Sequence, residues 1–297
     1  MVAIEPVPGT LHTYLGRHLS AFEYATANGV SHQNVVLFVG GLGDGFRTVE
    51  YVYPLAQKLD KIGWSVVEVL TSSSYAQWGT GSLQRDNEEI SKAIEYFQTL
   101  KRGKIVLAGH STGCQDTISY VTKFNPESEK PMVNGAILQA PVSDREAMRN
   151  IFPGQFEDIL RFAKQQVGQG KGEEILPKRF NDLFFGAPIT ARRWVSLADK
   201  LGDDDFFSSD LDDHDLQATF GKVNVPLLVL YSGADQFVPD TVDKKELVSR
   251  WRNVTPANAW SKHGGIIEGA THAIDEDSKP GARQQAIGKI VLFLSEL

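Results

Sequence analysis

The segment Lys104-Ile-Val-Leu-Ala-Gly-His-Ser-Thr-Gly113 decides the fold of this chain. Its apolar, β-branched run predicts a buried strand that ends near Gly109, and residues 114–120 are predicted to form a helix. A strand, a Gly-x-Ser-x-Gly motif and a helix in direct succession predict a sharp turn with Ser111 at its tip. Glycines beside the serine let the strand and the helix approach closely, and the helix N-terminus offers N–H groups to a developing negative charge. The pattern therefore indicates a serine nucleophile.

An acid and a histidine follow Ser111 in the order that a catalytic triad requires. A predicted buried strand leads into Ser232-Gly-Ala-Asp235, and a short predicted strand near the C-terminus leads into Gly269-Ala-Thr-His272. Each loop alone is weak evidence, because a lone Gly-x-x-Asp segment is usually an ordinary turn. Three such features, each after its own strand, predict a triad of Ser111, Asp235 and His272.

Asp144 is a rival for the acid, since it also follows a predicted strand at residues 135–139. However, Ser143-x-x-Glu146 has the pattern of a capping box, which would place Asp144 in the first turn of a helix. Asp235 is therefore preferred. His110 and Cys114 flank the serine in sequence, and we interpret them as structural residues.

A glycine-rich loop, Gly40-Gly-Leu-Gly-Asp-Gly45, follows another predicted strand. Its backbone must pass close to the substrate carbonyl, so we expect Gly41 to contact the substrate. We expect the amides of Leu42 and Thr112 to form the oxyanion hole. Glycine-rich loops also bind dinucleotides, and Glu68 could then bind a ribose. The spacing Gly-Gly-x-Gly-x-Gly differs from the dinucleotide motif, which disfavours that interpretation.

Composition limits the class of protein. The 297 residues are 41% hydrophobic and 23% charged, values that suit one large α/β domain with an insertion. The formal net charge of −7, without a basic run, argues against nucleic acid and against an anionic membrane as partners. A single cysteine excludes an internal disulfide and fits a reducing compartment. No signal peptide or apolar stretch of ~18 residues is recognised, so we expect a cytoplasmic protein.

Predicted strands and helices alternate along the chain after an antiparallel pair near the N-terminus. This alternation predicts a mostly parallel central sheet with helices on both faces. Residues 1–144 and 217–297 would form this α/β core. Residues 145–216 break the alternation, and we predict that they form a helical cap, or lid, over the catalytic ends of the strands.

Several aromatic side chains are candidates for the substrate pocket. Tyr75 and Trp78 follow a strand on the catalytic side, and Trp194 lies in the predicted cap. Further cap aromatics could either line the pocket or join the cap to the core: Phe184, Phe185, Phe206 and Phe207. Charged cap segments, Arg192-Arg193 and Asp203–Asp205, are expected to face solvent, and no metal site or organic cofactor is expected.

A family resemblance extends these expectations. The segments Gly109–Gly113, Gly233-Ala-Asp235 and Thr271-His272 resemble the α/β-hydrolase superfamily over nearly the whole chain. More narrowly, Val39–Gly45 and Gly109–Asp116, with the segment Tyr75-x-x-Trp-Gly-x-Gly-Ser-Leu, resemble a fungal family that includes cytosolic siderophore esterases. Those esterases act on ferric hydroxamates of the fusarinine type. The resemblance implies an α/β-hydrolase fold and hydrolysis of the esters that join N-acylated hydroxyornithine units, which would release iron inside the cell.

Three other functions remain open at this point. A serine hydrolase with this triad could be a general carboxylesterase or an acyl thioesterase. A hydrolase fold could also be catalytically inactive and serve as a ligand receptor, although an intact set of Ser, Asp and His argues against that function. In each enzymatic case the expected partner is a small-molecule substrate.

Overall fold

One sheet of eight strands organises the part of the chain that the computed structural model describes, residues 5–100, 102–122, 132–181 and 186–297. In chain order the strands are β1 (Gly9–Leu15), β2 (Leu19–Tyr24), β3 (Asn34–Val39), β4 (Trp64–Val69), β5 (Ile105–His110), β6 (Gly135–Gln139), β7 (Leu227–Ser232) and β8 (Gly265–Ile267). Their spatial order is β1-β2-β4-β3-β5-β6-β7-β8. Strands β1 and β2 pair antiparallel with each other, β2 pairs antiparallel with β4, and the remaining neighbours are parallel. The predicted mostly parallel sheet is confirmed.

Helices cover both faces of this sheet. They are α1 (Val52–Asp60), α2 (Leu83–Thr99), α3 (Gly113–Thr122), α4 (Asp144–Ile151), α5 (Phe156–Gly168), α6 (Lys178–Asn181), α7 (Ala191–Ala198), α8 (Asp213–Thr219), α9 (Lys244–Val254) and α10 (Ala282–Glu296). Side chains of β3 alternate between the faces: Val35 and Leu37 pack with α2 and α3, whereas Val36 and Phe38 pack with α1 and α10. Because both faces are covered, the central strands β3, β5, β6 and β7 are largely apolar.

Helices α4 to α8 occupy the segment between β6 and β7. Side chains of α5 and α7 form a third hydrophobic cluster, separate from the two that flank the sheet, and Trp78 joins this cluster from the loop after β4. Phe206 and Phe207 instead pack into the core beside Trp251. Phe184 and Phe185 lie outside the described residues. The division into a core and a cap of residues 145–216 stays a prediction.

A helix that crosses a bilayer must be both long and apolar. Among the described residues, no helix meets both conditions.

Candidate active site

Ser111 lies at a strained turn between β5 and α3. Its φ of +54° falls in the left-handed region, which is costly for a side-chain-bearing residue. The flanking glycines make the turn possible. A Cβ on Gly109 would lie 2.1 Å from the carbonyl oxygen of Gly113, and a Cβ on Gly113 would lie 2.3 Å from that of Val39. The turn thus holds the serine at the carboxyl end of β5 and at the N-terminus of a helix.

Replacing Gly113 tests this close approach. We expect Gly113→Ala to lower the free energy of unfolding by roughly 1–3 kcal/mol, because the new methyl group meets rigid backbone atoms and the strand or helix must shift. Thermal unfolding measures the effect. A matched control is Gly288→Ala in α10, where the added Cβ meets no atom within 4 Å. Equal melting temperatures for wild type and Gly113→Ala would contradict the close packing of β3 against α3.

His272 and Asp235 form a buried hydrogen-bonded pair. The imidazole Nδ1 lies 2.7 Å from Asp235 Oδ2, and the residues are only 6% and 4% exposed. A carboxylate only accepts hydrogen bonds, so Nδ1 carries the proton and Nε2 is left with a free lone pair. The second carboxylate oxygen accepts the backbone N–H of Phe237 at 3.0 Å, which fixes the carboxylate after β7. This arrangement gives His272 the tautomer that a general base needs.

Neighbouring residues hold the His272 backbone and ring in place. The His272 amide donates to Gln236 Oε1 at 3.1 Å, and its carbonyl accepts from Gln139 Nε2 at 3.1 Å. The rings of Phe237 and His110 approach the imidazole with centroid distances of 4.7 and 4.9 Å. Loop and ring are therefore restrained on several sides.

His110 contributes no charge to this environment. Burial, together with the proximity of His272, lowers the pKa of His110 to about 4, so its ring is neutral at pH 7. Its Nδ1–H donates to Gln139 Oε1 at 2.6 Å. The ring thus packs beside His272 without adding a second positive charge.

Asp144 lies elsewhere in the site. It begins α4 after the cap residue Ser143, whose hydroxyl accepts the amide of Glu146 at 3.0 Å. Its carboxyl accepts the Thr112 hydroxyl at 3.2 Å and the Gln115 side-chain amide at 2.6 Å. Burial raises the pKa of Asp144 to about 7. In the described residues the carboxylate on the His272 ring is that of Asp235.

Two backbone amides near Ser111 are unpaired. Within the described part of the chain, neither the Leu42 amide nor the Thr112 amide donates a hydrogen bond. The glycine-rich loop that carries Leu42 is held in place, since the Gly41 amide donates to Asp44 Oδ2 at 2.7 Å. A Cβ on Gly41 would lie 2.5 Å from Ser111 Cβ, so the loop backbone touches the serine. Unpaired donors beside a serine suit stabilisation of an oxyanion.

A pocket opens beside this loop. It holds about 340 Å³ of empty space including its solvent-filled mouth. The residues that line it come from the end of β3, the glycine-rich loop, the loop after β4, the turn that holds Ser111, and helices α2, α3 and α7: Val39, Gly40, Gly41, Leu42, Thr71, Ser73, Ser74, Trp78, Asp86, Thr112, Asp116 and Arg193. Two of the four expected substrate-contacting residues, Gly41 and Trp78, thus line the pocket, together with Leu42 and Thr112, whereas Ser111 and His272 do not.

Two expected pocket residues lie elsewhere. Trp194 is fully buried in the α5–α7 cluster, where its ring packs against Phe156. Tyr75 is 46% exposed, and its hydroxyl accepts the amide of Phe46 at 3.1 Å. Trp194 therefore supports the pocket wall from behind, and Tyr75 braces the end of the glycine-rich loop.

The expectation that Arg192-Arg193 and Asp203–Asp205 face solvent is wrong at Arg193, Asp204 and Asp205, which are buried. Arg192 is exposed as predicted, but Arg193 is only 4% exposed and its guanidinium donates to both carboxylate oxygens of Asp204 at 2.8 and 2.9 Å. Asp204 is itself 2% exposed. The guanidinium also donates to the carbonyl of Trp78 at 3.1 Å. A buried charge is tolerated here because its partner lies eleven residues further along the chain, and the sequence pattern of a short helix does not reveal such a partner.

Glu68 and Cys114 are both buried and contact other residues of the core. Glu68 is 3% exposed and accepts the Tyr24 hydroxyl and the Arg47 amide, so its carboxyl is used in contacts within the protein just beyond the glycine-rich loop. Cys114 is fully buried, as predicted, and its thiol contacts the carbonyl oxygens of Gly109 and Gln139. Burial raises the pKa of the thiol far above its usual range, so it remains protonated.

Sequence reasoning missed several residues that shape the site. Gln139 bridges His110 and the His272 carbonyl, Asp44 holds the glycine-rich loop, and Asp116 faces the pocket. Two of them had a visible signal: Gln139 is a polar residue at the end of an otherwise apolar buried strand, and Asp116 is an acid within a buried helix. Both deviations from pattern are typical of residues near a functional site.

The fold and its strained serine turn make this chain an α/β hydrolase in architecture, and more distant solved structures share that fold. The chain belongs to the family described as a protein of unknown function (DUF1749), whose model matches residues 2–295.

Relatives with names are similar over nearly their full length. A UPF0613 protein of Schizosaccharomyces pombe is 41% identical over an alignment that covers 97% of this chain and 96% of that protein. The fusarinine C esterase sidJ of Aspergillus fumigatus is 37% identical, with coverage of 98% and 96%. The solved structure of siderophore hydrolase EstB from Aspergillus fumigatus matches with a TM-score of 0.86 at 37% identity and covers 98% of each chain.

Proposed function

We propose that this chain is a serine esterase that hydrolyses ester bonds of a ferric hydroxamate siderophore of the fusarinine type. The observation that carries the esterase assignment is the 2.7 Å hydrogen bond between His272 Nδ1 and Asp235, in a fold that holds Ser111 on a strained turn. The substrate class is supported by the relatives named fusarinine C esterase and siderophore hydrolase.

In the proposed mechanism, Ser111 Oγ attacks the ester carbonyl carbon while His272 Nε2 takes the hydroxyl proton. The resulting oxyanion is stabilised by the amides of Leu42 and Thr112. The tetrahedral intermediate collapses, the bond to the alcohol oxygen breaks, and His272 gives its proton to that oxygen. A water molecule, deprotonated by His272, then attacks the acyl carbon, the bond to Ser111 Oγ breaks, and His272 returns the proton to Oγ as the acid leaves. Asp235 holds the ring and stabilises the imidazolium in both halves of the reaction.

The proposal places this reaction in the cytoplasm. The chain has one cysteine, which is a free, buried thiol, and such cysteine usage suits a reducing compartment. Iron released from a hydrolysed siderophore would then become available inside the cell.

A panel of substrates tests the proposed substrate class. Purified protein is incubated with ferric fusarinine C, with short 4-nitrophenyl esters and with acyl-CoA thioesters, and the products are quantified by chromatography. We expect the largest kcat/KM for the ferric fusarinine. Efficient hydrolysis of the small esters or thioesters without turnover of the fusarinine would show that the protein is a general esterase or a thioesterase. If no member of the panel is hydrolysed, the protein would be a ligand-binding protein rather than an esterase.

Trp78 provides a second test, because it lines the pocket and is 9% exposed. We expect Trp78→Ala to reduce kcat/KM for ferric fusarinine about tenfold more than for 4-nitrophenyl acetate, since the larger substrate extends to the indole and the small ester does not. The ratio of the two kcat/KM values is the measurement.

Trp194→Phe is the matched control for this variant. Trp194 is another buried aromatic residue of the same cluster but does not line the pocket, so its substitution should leave the ratio within about twofold of wild type. If Trp78→Ala lowered both activities equally, the indole would be stabilising the fold rather than contacting the substrate.

A further inference from the structure

The carboxyl group of Asp116 has no role in the mechanism above. Asp116 lies on α3, where its amide donates to the carbonyl of Thr112, so the two residues occupy the same face of the helix one turn apart. The residue is only 8% exposed, and what remains exposed lines the pocket beside the glycine-rich loop. Among the described residues, its carboxyl makes no hydrogen bond and no ion pair. A buried, unpaired carboxyl aimed into a pocket is costly unless a ligand pairs with it.

The surroundings of Asp116 carry an excess of negative charge. Asp86, Asp144 and Asp204 act on it electrostatically, and burial together with these neighbours raises the pKa of Asp116 well above its usual range. Arg193 is the guanidinium on this side of the pocket, and it already forms the ion pair with Asp204. Arg85 also acts on Asp86, so two guanidinium groups face four buried acids, and a further positive charge would reduce the repulsion among the acids.

Asp86 presents a second acid to the same pocket. Its two oxygens lie 2.7 Å from the hydroxyl of Ser73, which also lines the pocket. Arg85 lowers the pKa of Asp86 electrostatically, as Arg193 does, but Arg85 does not line the pocket. A donor-bearing cation in the pocket would therefore meet carboxylate oxygens from α2 and from α3.

The pocket lies on one side of the reacting ester. Both residues with unpaired amides, Leu42 and Thr112, line the pocket, whereas His272 does not. The leaving alcohol must lie near His272, so the pocket faces the acyl half of the ester.

We propose that this pocket is a subsite for a protonated amine carried by the acyl half of the substrate, with Asp116 and Asp86 as the acceptors. The proposal rests on the proposed esterase function and specifies its substrate further. Side chains of a helix lean toward its N-terminus, so the Asp116 carboxyl leans over the turn that contains Thr112. An ammonium group two or three bonds from the ester carbonyl reaches it from there. An uncharged polar group would leave the repulsion among the acids in place, whereas a cation removes it.

Matched esters test the subsite. The substrates are the phenyl esters of β-alanine, with a free ammonium group, and of N-acetyl-β-alanine, without a charge. The measured quantity is the ratio of their kcat/KM values, and comparing this ratio between variants cancels the intrinsic reactivity of the esters. We expect Asp116→Asn to lower the ratio at least tenfold while kcat/KM for the acetylated ester stays within a few-fold of wild type. Asp86→Asn should lower the ratio as well.

Asp158→Asn is the control for net charge, because Asp158 is an exposed acid on α5. It should leave the ratio within twofold of wild type. An unchanged ratio in folded Asp116→Asn and in folded Asp86→Asn, with both esters hydrolysed, would overturn the subsite alone. If wild type hydrolyses neither ester and Ser111 does not react with a fluorophosphonate, the proposed esterase function is overturned together with the subsite.

Discussion

Ser111→Ala is expected to lower kcat for ester hydrolysis by about 10⁴-fold or more, because removing the nucleophile abolishes the covalent route and leaves only binding and oxyanion stabilisation. The fold should be unaffected, since alanine keeps the Cβ and requires the same backbone conformation at φ +54°. Initial rates with 4-nitrophenyl acetate and with the ferric fusarinine measure the loss.

Thermal unfolding of the same variant is the necessary control. A melting temperature close to that of wild type shows that the missing activity reflects chemistry rather than unfolding. Retention of most of the esterase activity in a folded Ser111→Ala protein would require another nucleophile and would refute the proposed role of Ser111.

Asp235→Asn should reduce kcat by about 10⁴-fold, because an amide at this position favours the wrong tautomer of His272 and no longer stabilises the imidazolium. KM should change little, since the carboxylate is buried behind the ring and does not reach the substrate. Steady-state kinetics with a single ester separates the two parameters.

Asp144→Asn is the matched comparison. Asp144 is a buried acid of the same site, but it hydrogen-bonds Thr112 and Gln115 rather than the imidazole, so its substitution should cost less than about tenfold in kcat. The opposite ranking of the two variants would make Asp144 the acid that supports His272.

Much of the sheet could be predicted because each buried strand has a clear pattern. The apolar run before Gly109 predicted β5, and the antiparallel pair and the parallel core strands fall close to their expected positions. Boundaries differ where packing overrides local pattern. The apolar residues of 49–62 recur at helical spacing, but α1 spans only Val52–Asp60, and Gly63 with φ +79° turns the chain into β4.

The candidate site was also predictable only in part. The order of Ser111, Asp235 and His272 was readable because each follows a strand whose carboxyl end lies at one edge of the sheet. Side-chain contacts between separate elements of the fold could not be predicted from the sequence. The ion pair of Arg193 with Asp204 and the hydrogen bond from Gln139 to the His272 carbonyl depend on tertiary packing. The local spacing of residues in the sequence does not predict such contacts.

Aromatic residues show the limit most clearly. The sequence predicted both Trp78 and Trp194 as pocket residues. In the structure Trp78 lines the pocket, whereas Trp194 is fully buried behind it. A large apolar ring satisfies the same hydrophobic pattern in either position, so only the packing of α7 against α5 distinguishes them.

The central claim is that Ser111 is a nucleophile activated by His272 and Asp235. Its most direct test is labelling of the purified protein with a fluorophosphonate, followed by protease digestion and mass spectrometry of the modified peptide. We predict a single adduct on Ser111, formed quickly by wild type and far more slowly by Asp235→Asn. An adduct on a different residue, or active esterase that takes up no label, would contradict this account.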